Sequence, residues 1–280
     1  MAETDRIRIG IQTACSASTV MEPFEYAVAN GFDAFEWFPD KKESGRGWTV
    51  GDISKETRAM VKNIALDHDI YLSVHCHWYL NPLRPDDHER LLKDIEFTRD
   101  VGASLLNIHL QSGETIAAYS VAIIALMRRL TPLHIRLSIE NTPSTGPEHF
   151  NELFRRLRGL VSPDKPNLGM CLDLGHANLY DATRNDYLRF IDLLDPGVPI
   201  NHIHLHENYG DQDSHLPLFS GPSGKNLKGI KGFVHRMRQR YFSGCIILEQ
   251  WPNPPSLLKE ARNRLRHMID SSVNQWSNLI

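Results

Sequence analysis

Short apolar runs and amphipathic stretches alternate from one end of the chain to the other. The run RIRIGIQT, residues 6–13, sets apolar side chains at every second position, the period of a strand. Residues 23–30 read as a helix, with Pro23 at its start and Gly31 just past its end. Further strands are predicted over 32–38, 70–75, 105–110, 135–140, 168–173, 200–206 and 245–249. Helices fall between them over 54–69, 86–101, 114–130, 147–160, 185–194 and 227–241, and a last one over 256–274 closes the series. Ser54 caps the second helix, and Gly102 and Pro132 stop the third and fourth. Eight strand–helix pairs in sequence predict an α/β fold, a single (β/α)8 TIM barrel over 1–280. An open doubly wound sheet would want a glycine-rich turn after the first strand, and IQTACSAST is not one.

The length of 280 residues suits one such barrel, and 41% hydrophobic residues suffice for its core. The longest connections, 39–50, 77–85 and 207–226, all follow carboxyl ends of strands, where barrel active sites lie. Net charge is −3 with the signs interspersed, and no basic block points to nucleic acid. The polar start MAETDRIRIG is no signal peptide, and the longest apolar run, 121–127, is too short to span a bilayer. Cys15, Cys76, Cys171 and Cys245 form no C-x-x-C pair and read as free thiols of a cytoplasmic protein.

Residues with metal-ligand chemistry end most of the predicted strands. His75 closes LSVH, His109 closes LLNIH, Glu140 closes RLSIE, Asp173 closes MCLD and Glu249 closes IILE, while His204 lies near the end of strand seven. His176 follows Asp173 by three residues, and Asp213 and His215 lie in the loop after strand seven. A barrel gathers its carboxyl strand ends on one rim, so these nine positions become neighbours. The period of two turns Ile139, Leu172, Leu205 and Leu248 toward the helices, and Glu140, Asp173, His204 and Glu249 toward the axis. Carboxylates crowded in a barrel mouth need a cation, and a divalent metal with imidazole companions supplies one. Any of these residues alone would pass for a solvated strand end; nine on one rim do not.

Trp37, His77, Trp78, His206 and Trp251 are expected around the substrate pocket, with ordinary packing or exposure as the alternative for each. His202, one step deeper than His204, reads as a packed barrel residue, and Cys171 as a packed thiol. Glu36 is either a charge inside the barrel or a pocket residue.

Taken together, SVHCHWYLN, DVGASLLNIH, SIENT, CLDLGHA, HLHEN with DSHLP, and ILE resemble the xylose-isomerase-like TIM-barrel superfamily from strand one through strand eight. That group holds sugar and sugar-phosphate isomerases and epimerases, inosose dehydratases and type-IV AP endonucleases. Its single-metal epimerases imply Glu140, Asp173, His204 and Glu249 as ligands, with Glu140 and Glu249 as the acid–base pair and His176 on the substrate. Its endonucleases imply three zinc ions held by His75, His109, Glu140, Asp173, His176, His204, Asp213, His215 and Glu249. The context departs from the nucleases: Glu140-Asn141-Thr142 runs on into Pro143-Ser144, and Asp173-Leu174-Gly175-His176 replaces Asp-Thr-Cys-His. Asp213-x-His215-Leu216-Pro217 has the isomerase form, although PLFSGPSG departs from the Gly-Glu-Gly that often follows.

The resemblance thus implies an isomerase or epimerase of a sugar, sugar phosphate or inosose, acting in carbohydrate metabolism by proton transfer through an enediolate. A multi-metal phosphodiesterase or AP-endonuclease-like hydrolase is the alternative, and an inactive barrel serving as a binding protein is a third reading. The expected cofactor is a divalent metal (Mn, Co, Zn, Fe or Mg), with no organic cofactor. The expected partner is a small polyol or sugar, with no membrane and no nucleic acid; homo-oligomerisation stays open.

Overall fold

The structure, a computed structural model, describes residues 6–111, 113, 115–160 and 167–277. The first half runs β1 (Arg8–Gln12), α1 (Glu22–Ala29), β2 (Ala34–Trp37), α2 (Lys55–Asp67), β3 (Tyr71–His75), α3 (His88–Asp100), β4 (Leu105–His109) and α4 (Ile116–Leu130). The second half runs β5 (Arg136–Glu140), α5 (Pro147–Arg156), β6 (Leu168–Asp173), α6 (Leu174–Leu179), α7 (Tyr187–Leu193), β7 (Ile200–Leu205), α8 (Pro222–Lys225), α9 (Lys228–Gln239), β8 (Cys245–Leu248) and α10 (Ser256–Ser277). The eight strands pair in chain order, all parallel, and β8 closes on β1, giving the (β/α)8 barrel the alternation predicts. Ser54 caps α2 by accepting from the Thr57 N–H, as expected. The predicted start of α4 at Glu114 lies outside the described residues. Two short helices, α6 and α8, have no counterpart in the sequence prediction.

The strands sort their side chains by parity. Ile9, Ile11, Phe35, Leu72, Val74, Ile108, Leu137, Ile139, Leu172, Ile203 and Leu248 are buried in the main core, between barrel and helices. Ala34, Cys245 and Ile247 form a separate small apolar plug. Glu36, Ser73, Asn107, Ser138 and His202 are buried polar groups of the inward parity, below the rim. The ladder slips once, where Met170–Cys171 faces Ile200–His202, so Asn201 is an extra residue in β7. Its amide oxygen accepts from the Ser138 hydroxyl at 2.8 Å, and Gly169 leaves the room: a Cβ there would lie 2.5 Å from Asn201 Cγ.

The window Ile116–Leu133 is long and apolar enough to cross a membrane by length and composition. In the fold most of it is α4, which buries Tyr119, Ile123, Leu126, Met127 and Leu130. All four cysteines are free thiols.

Closure at the β1–β2 seam depends on small residues. A Cβ on Gly10 would meet the Ala34 carbonyl oxygen at 2.4 Å and its Cβ at 2.8 Å. Gly10→Ala is therefore expected to cost about 1–3 kcal/mol, lowering Tm by about 2–10 °C. Differential scanning calorimetry checks it; an unchanged Tm would show that the seam yields.

Candidate metal centre

The rim is built by six strands. His75, His109, Glu140 and Asp173 are the last residues of β3, β4, β5 and β6, His204 lies in β7, and Glu249 directly follows β8. The ladders place His109 beside Glu140 and Asp173 beside His204. His176 comes from α6, whose first turn Asp173 caps by accepting from the His176 N–H at 2.6 Å. Asn141 fixes this corner, donating to the Asp173 carbonyl at 2.9 Å and accepting from its N–H at 2.8 Å. Asp213 and His215 arrive from the loop after β7.

Glu140 is the hub, fully buried. Its Oε2 lies 2.9 Å from His75 Nε2 and 3.3 Å from His204 Nδ1, and Asn107 donates to it. Its Oε1 lies 3.3 Å from His109 Nε2 and 3.4 Å from His176 Nδ1. Asp173 Oδ2 lies 3.2 Å from His206 Nε2 and 3.8 Å from His204 Nδ1. Glu249 Oε2 lies 3.5 Å from His204 Nδ1 and 3.9 Å from His215 Nδ1. Asp213 Oδ2 joins His176 Nε2 at 3.3 Å to His215 Nε2 at 3.2 Å. Among the donor sets with mutual distances within 4.8 Å are His75/His109/Glu140, His75/His204/Glu249, Asp173/His176/His206 and His206/Asp213/His215.

The imidazoles are oriented for this work. His75 Nδ1 meets the Cys76 carbonyl at 2.5 Å, His176 Nδ1 the Asn141 carbonyl at 2.8 Å, and His215 Nδ1 the Glu249 carbonyl at 2.8 Å. A carbonyl only accepts, so each Nδ1 carries the proton, and each Nε2 turns to a carboxylate of the centre. His204 is reversed: its Nε2 lies 2.7 Å from Glu36 Oε1, and its Nδ1 faces Glu140, Asp173 and Glu249. For His75, His176 and His215 the backbone carbonyls are outer acceptors of the kind that fix tautomer and ring direction in metal-binding histidines. His109 Nε2, His204 Nδ1, Glu140 Oε1 and Glu249 Oε2 are buried without a hydrogen-bond partner. Lone pairs aimed at carboxylates repel unless a proton or a metal ion lies between them, so the residues present fit divalent ions.

The electrostatics show the proton alternative. Burial opposes charge on His204, but Cys171, Glu140, Glu249 and Glu36 outweigh it and hold its pKa well above the usual value. Burial likewise opposes His176, and Asp173, Asp213 and Glu140 raise it. His215 is raised to about 9, against burial, by Asp213 and Glu249. Burial alone would raise Glu140, yet His204, His109 and His75 hold it well below the carboxylate range. Glu249 goes the other way, pushed up by burial.

The remaining expected residues divide. Trp78 is half exposed, while His77 is buried beside Tyr79, with ring centroids 3.9 Å apart. Trp251 packs edge-on against Tyr26. Trp37 corrects the expectation of a pocket role: it is fully buried among Phe24, Phe35, Trp48 and Phe97. The reason is parity, since Glu36 takes the inward position and Trp37 the helix side. His206, expected in the pocket, joins the donors and stacks on His215 at 4.0 Å. Glu36 resolves as a charge inside the barrel, 2.9 Å from His202 Nε2, and so supports His204 from beneath. Cys171 and His202, one layer below the rim, also approach His204.

Known proteins share this architecture. A D-tagatose 3-epimerase-like protein superposes with a TM-score of 0.69 at 19% identity, covering 95% of this chain and 100% of its own. Endonuclease IV from Thermus thermophilus superposes with a TM-score of 0.66 at 20% identity, covering 94% and 99%. An uncharacterized protein of Methanocaldococcus jannaschii is 29% identical over 122 residues, 41% of this chain; the match spans only 36% of that relative's length. Residues 24–268 match the xylose isomerase-like TIM barrel family, and the chain belongs to it.

Proposed function

We propose that the chain is a multinuclear, divalent-metal-dependent hydrolase of phosphoesters. The observation that carries this reading is Glu140. Each of its oxygens faces imidazoles from both sides, Oε1 toward His109 and His176, Oε2 toward His75 and His204. A carboxylate with imidazoles at both oxygens could serve two donor sets, and with both filled it would keep no oxygen free to act as a base. Glu249 turns only Oε2 to imidazoles, and its raised pKa suits it to accept a proton.

His75, His109 and Glu140 would hold one ion, Glu140, Asp173, His204 and Glu249 a second, and His176, Asp213 and His215 a third. Bound there, divalent ions supply Lewis acidity and acidify a water molecule. Glu249 Oε1, which faces no imidazole, would take the proton of the water that attacks phosphorus, while the P–O bond to the alcohol breaks and the alcohol leaves with a proton from solvent. Asn107 and Asn141 keep Glu140 and Asp173 in place through the cycle. The His-rich donor sets favour Zn, Mn, Co or Fe over Mg alone. With a net charge of −3 there is no general attraction for a polyanionic backbone. A small sugar or polyol phosphoester is therefore the substrate class, in keeping with a structural neighbour that is D-tagatose 3-epimerase-like.

One observation favours a second reading, the single-metal epimerase implied by the sequence. Glu140 and Glu249 both approach His204 Nδ1, at 3.3 and 3.5 Å, as an acid–base pair around one ion would. Metal content decides between the two. Protein purified without chelator is expected to carry about two or three divalent ions per chain and to cleave bis(p-nitrophenyl) phosphate or a sugar phosphate. One ion, with activity on ketoses, would establish the epimerase instead. No ion after reconstitution would overturn both.

A further inference from the structure

We propose that Glu207 is a positioning residue that shapes the loop after β7 and so decides whether the His176, Asp213 and His215 donor set forms. The proposal rests on the metal-centre reading above and adds to it a residue that binds no metal itself.

Asp213 and His215 differ from the other donors in lying within a loop, on neither a strand end nor a helix. Their neighbours Gln212 and Asp211 are exposed, and both side chains are themselves partly exposed. A loop this open needs an anchor to present two ligands to a buried site. Glu207 supplies it twice. Its backbone pairs with Leu216 in an antiparallel bridge, with Glu207 N–H donating at 2.9 Å and Leu216 N–H at 2.8 Å. Its buried carboxylate then reaches the far end of the loop. Oε2 accepts from the N–H groups of Phe219 at 3.0 Å and Gly221 at 2.9 Å, and Oε1 from that of Ser223 at 2.9 Å.

Three backbone donors on one buried carboxylate form a strong, directional clamp. It holds a turn the backbone would not choose, since His215 and Phe219 both have positive φ, +45° and +71°. The bridge closes residues 208–215, which carry Asp213 and His215, and the clamp fixes the chain just beyond that bridge, so the closed segment has one path. That path stacks His215 on His206 at 4.0 Å and puts Asp213 between His176 and His215. Glutamine keeps the size but not the second acceptor, and its NH2 would face a backbone donor.

The test uses the full-length, metal-loaded protein and reads two quantities: amide hydrogen exchange at residues 216–223 and metal content per chain. Glu207→Gln is expected to speed exchange at Phe219, Gly221 or Ser223 by about tenfold or more and to lose one ion while keeping the others. His215→Ala is expected to lose the same ion with exchange at those amides unchanged. That contrast separates positioning from ligation, and far-UV circular dichroism confirms that both variants keep the barrel. Wild-type exchange and wild-type metal content in Glu207→Gln would overturn the proposal. If Glu207→Gln speeds exchange but the wild type itself holds a single ion, the anchor stands and the multinuclear reading falls.

Discussion

Glu140→Gln is expected to abolish turnover and to empty more than one metal position at once. Four histidines and Asn107 surround its two oxygens, so two of the three proposed ions would depend on the one carboxylate. Gln keeps the shape, so the loss is that of charge. Removing one partner from a buried ionic cluster costs about 3–5 kcal/mol, which is roughly a 10²- to 10⁴-fold loss of metal affinity. Gln also presents an NH2 to imidazole nitrogens whose lone pairs need a cation. Two measurements check this: elemental analysis of the purified variant, and phosphoesterase activity with added metal. Full metal content with full activity would remove Glu140 from the centre. Loss of activity with every ion retained would return it to the acid–base role of the epimerase reading.

The second large effect is a reversal of sign with pH. Metal ions and protons compete for the same imidazole nitrogens. In chelator-treated protein, His176 and His204 have folded pKa values above their unfolded value, and His215 is at about 9. Their contribution to stability is complete below about pH 6.5, the unfolded histidine value, and is lost as pH rises through the folded values, by about pH 9 for His215. Glu140 and Asp173 are depressed, so their contribution is present above about pH 4 and is lost at lower pH. Metal-free protein should therefore be most stable between about pH 4.5 and 6.5. A roughly tenfold net change in proton affinity on folding is worth about 1.4 kcal/mol and moves Tm by about 3–6 °C. Metal-loaded protein should show the opposite slope, because binding releases protons and strengthens as pH rises. Scanning calorimetry from pH 5 to 9, with and without chelator, reads both slopes. Parallel slopes would mean that metal does not bind at these histidines.

The strands and their terminal donors were legible because a barrel strand has a rigid period and ends at a common rim. LSVH, RLSIE and MCLD carry both facts in four or five letters. The same period could have placed Trp37 in the core, since it neighbours inward Glu36; an aromatic near a strand end drew the pocket reading instead. Other features leave no mark in a side-chain pattern. Asn201 is an extra residue in β7, and a single insertion looks like any other letter. The helix α6 spans only Leu174–Leu179, too short to show a period, yet it carries His176. Glu207 binds backbone N–H groups, which every residue type but proline owns, so nothing in the sequence names its partners.

The donors come from β3 through β8 and their loops. Among the described residues β1 brings only Gln12 and Thr13 near its end, and β2 brings Glu36 one layer down. The ring of ligands is thus a horseshoe whose gap faces the first two strands. Thr13 is tied to Phe38 across that gap, while Gln12 Oε1 is buried without a hydrogen bond. If the centre holds metals as proposed, a molecule that reached them without displacing a ligand would settle against this quarter. Its approach would then be handed, with charge on one flank and the uncharged side chains of the first two strands on the other. Under the proposed function, a change in what the barrel accepts, with the metal centre left intact, would be made in the first two strands and the loops that follow them.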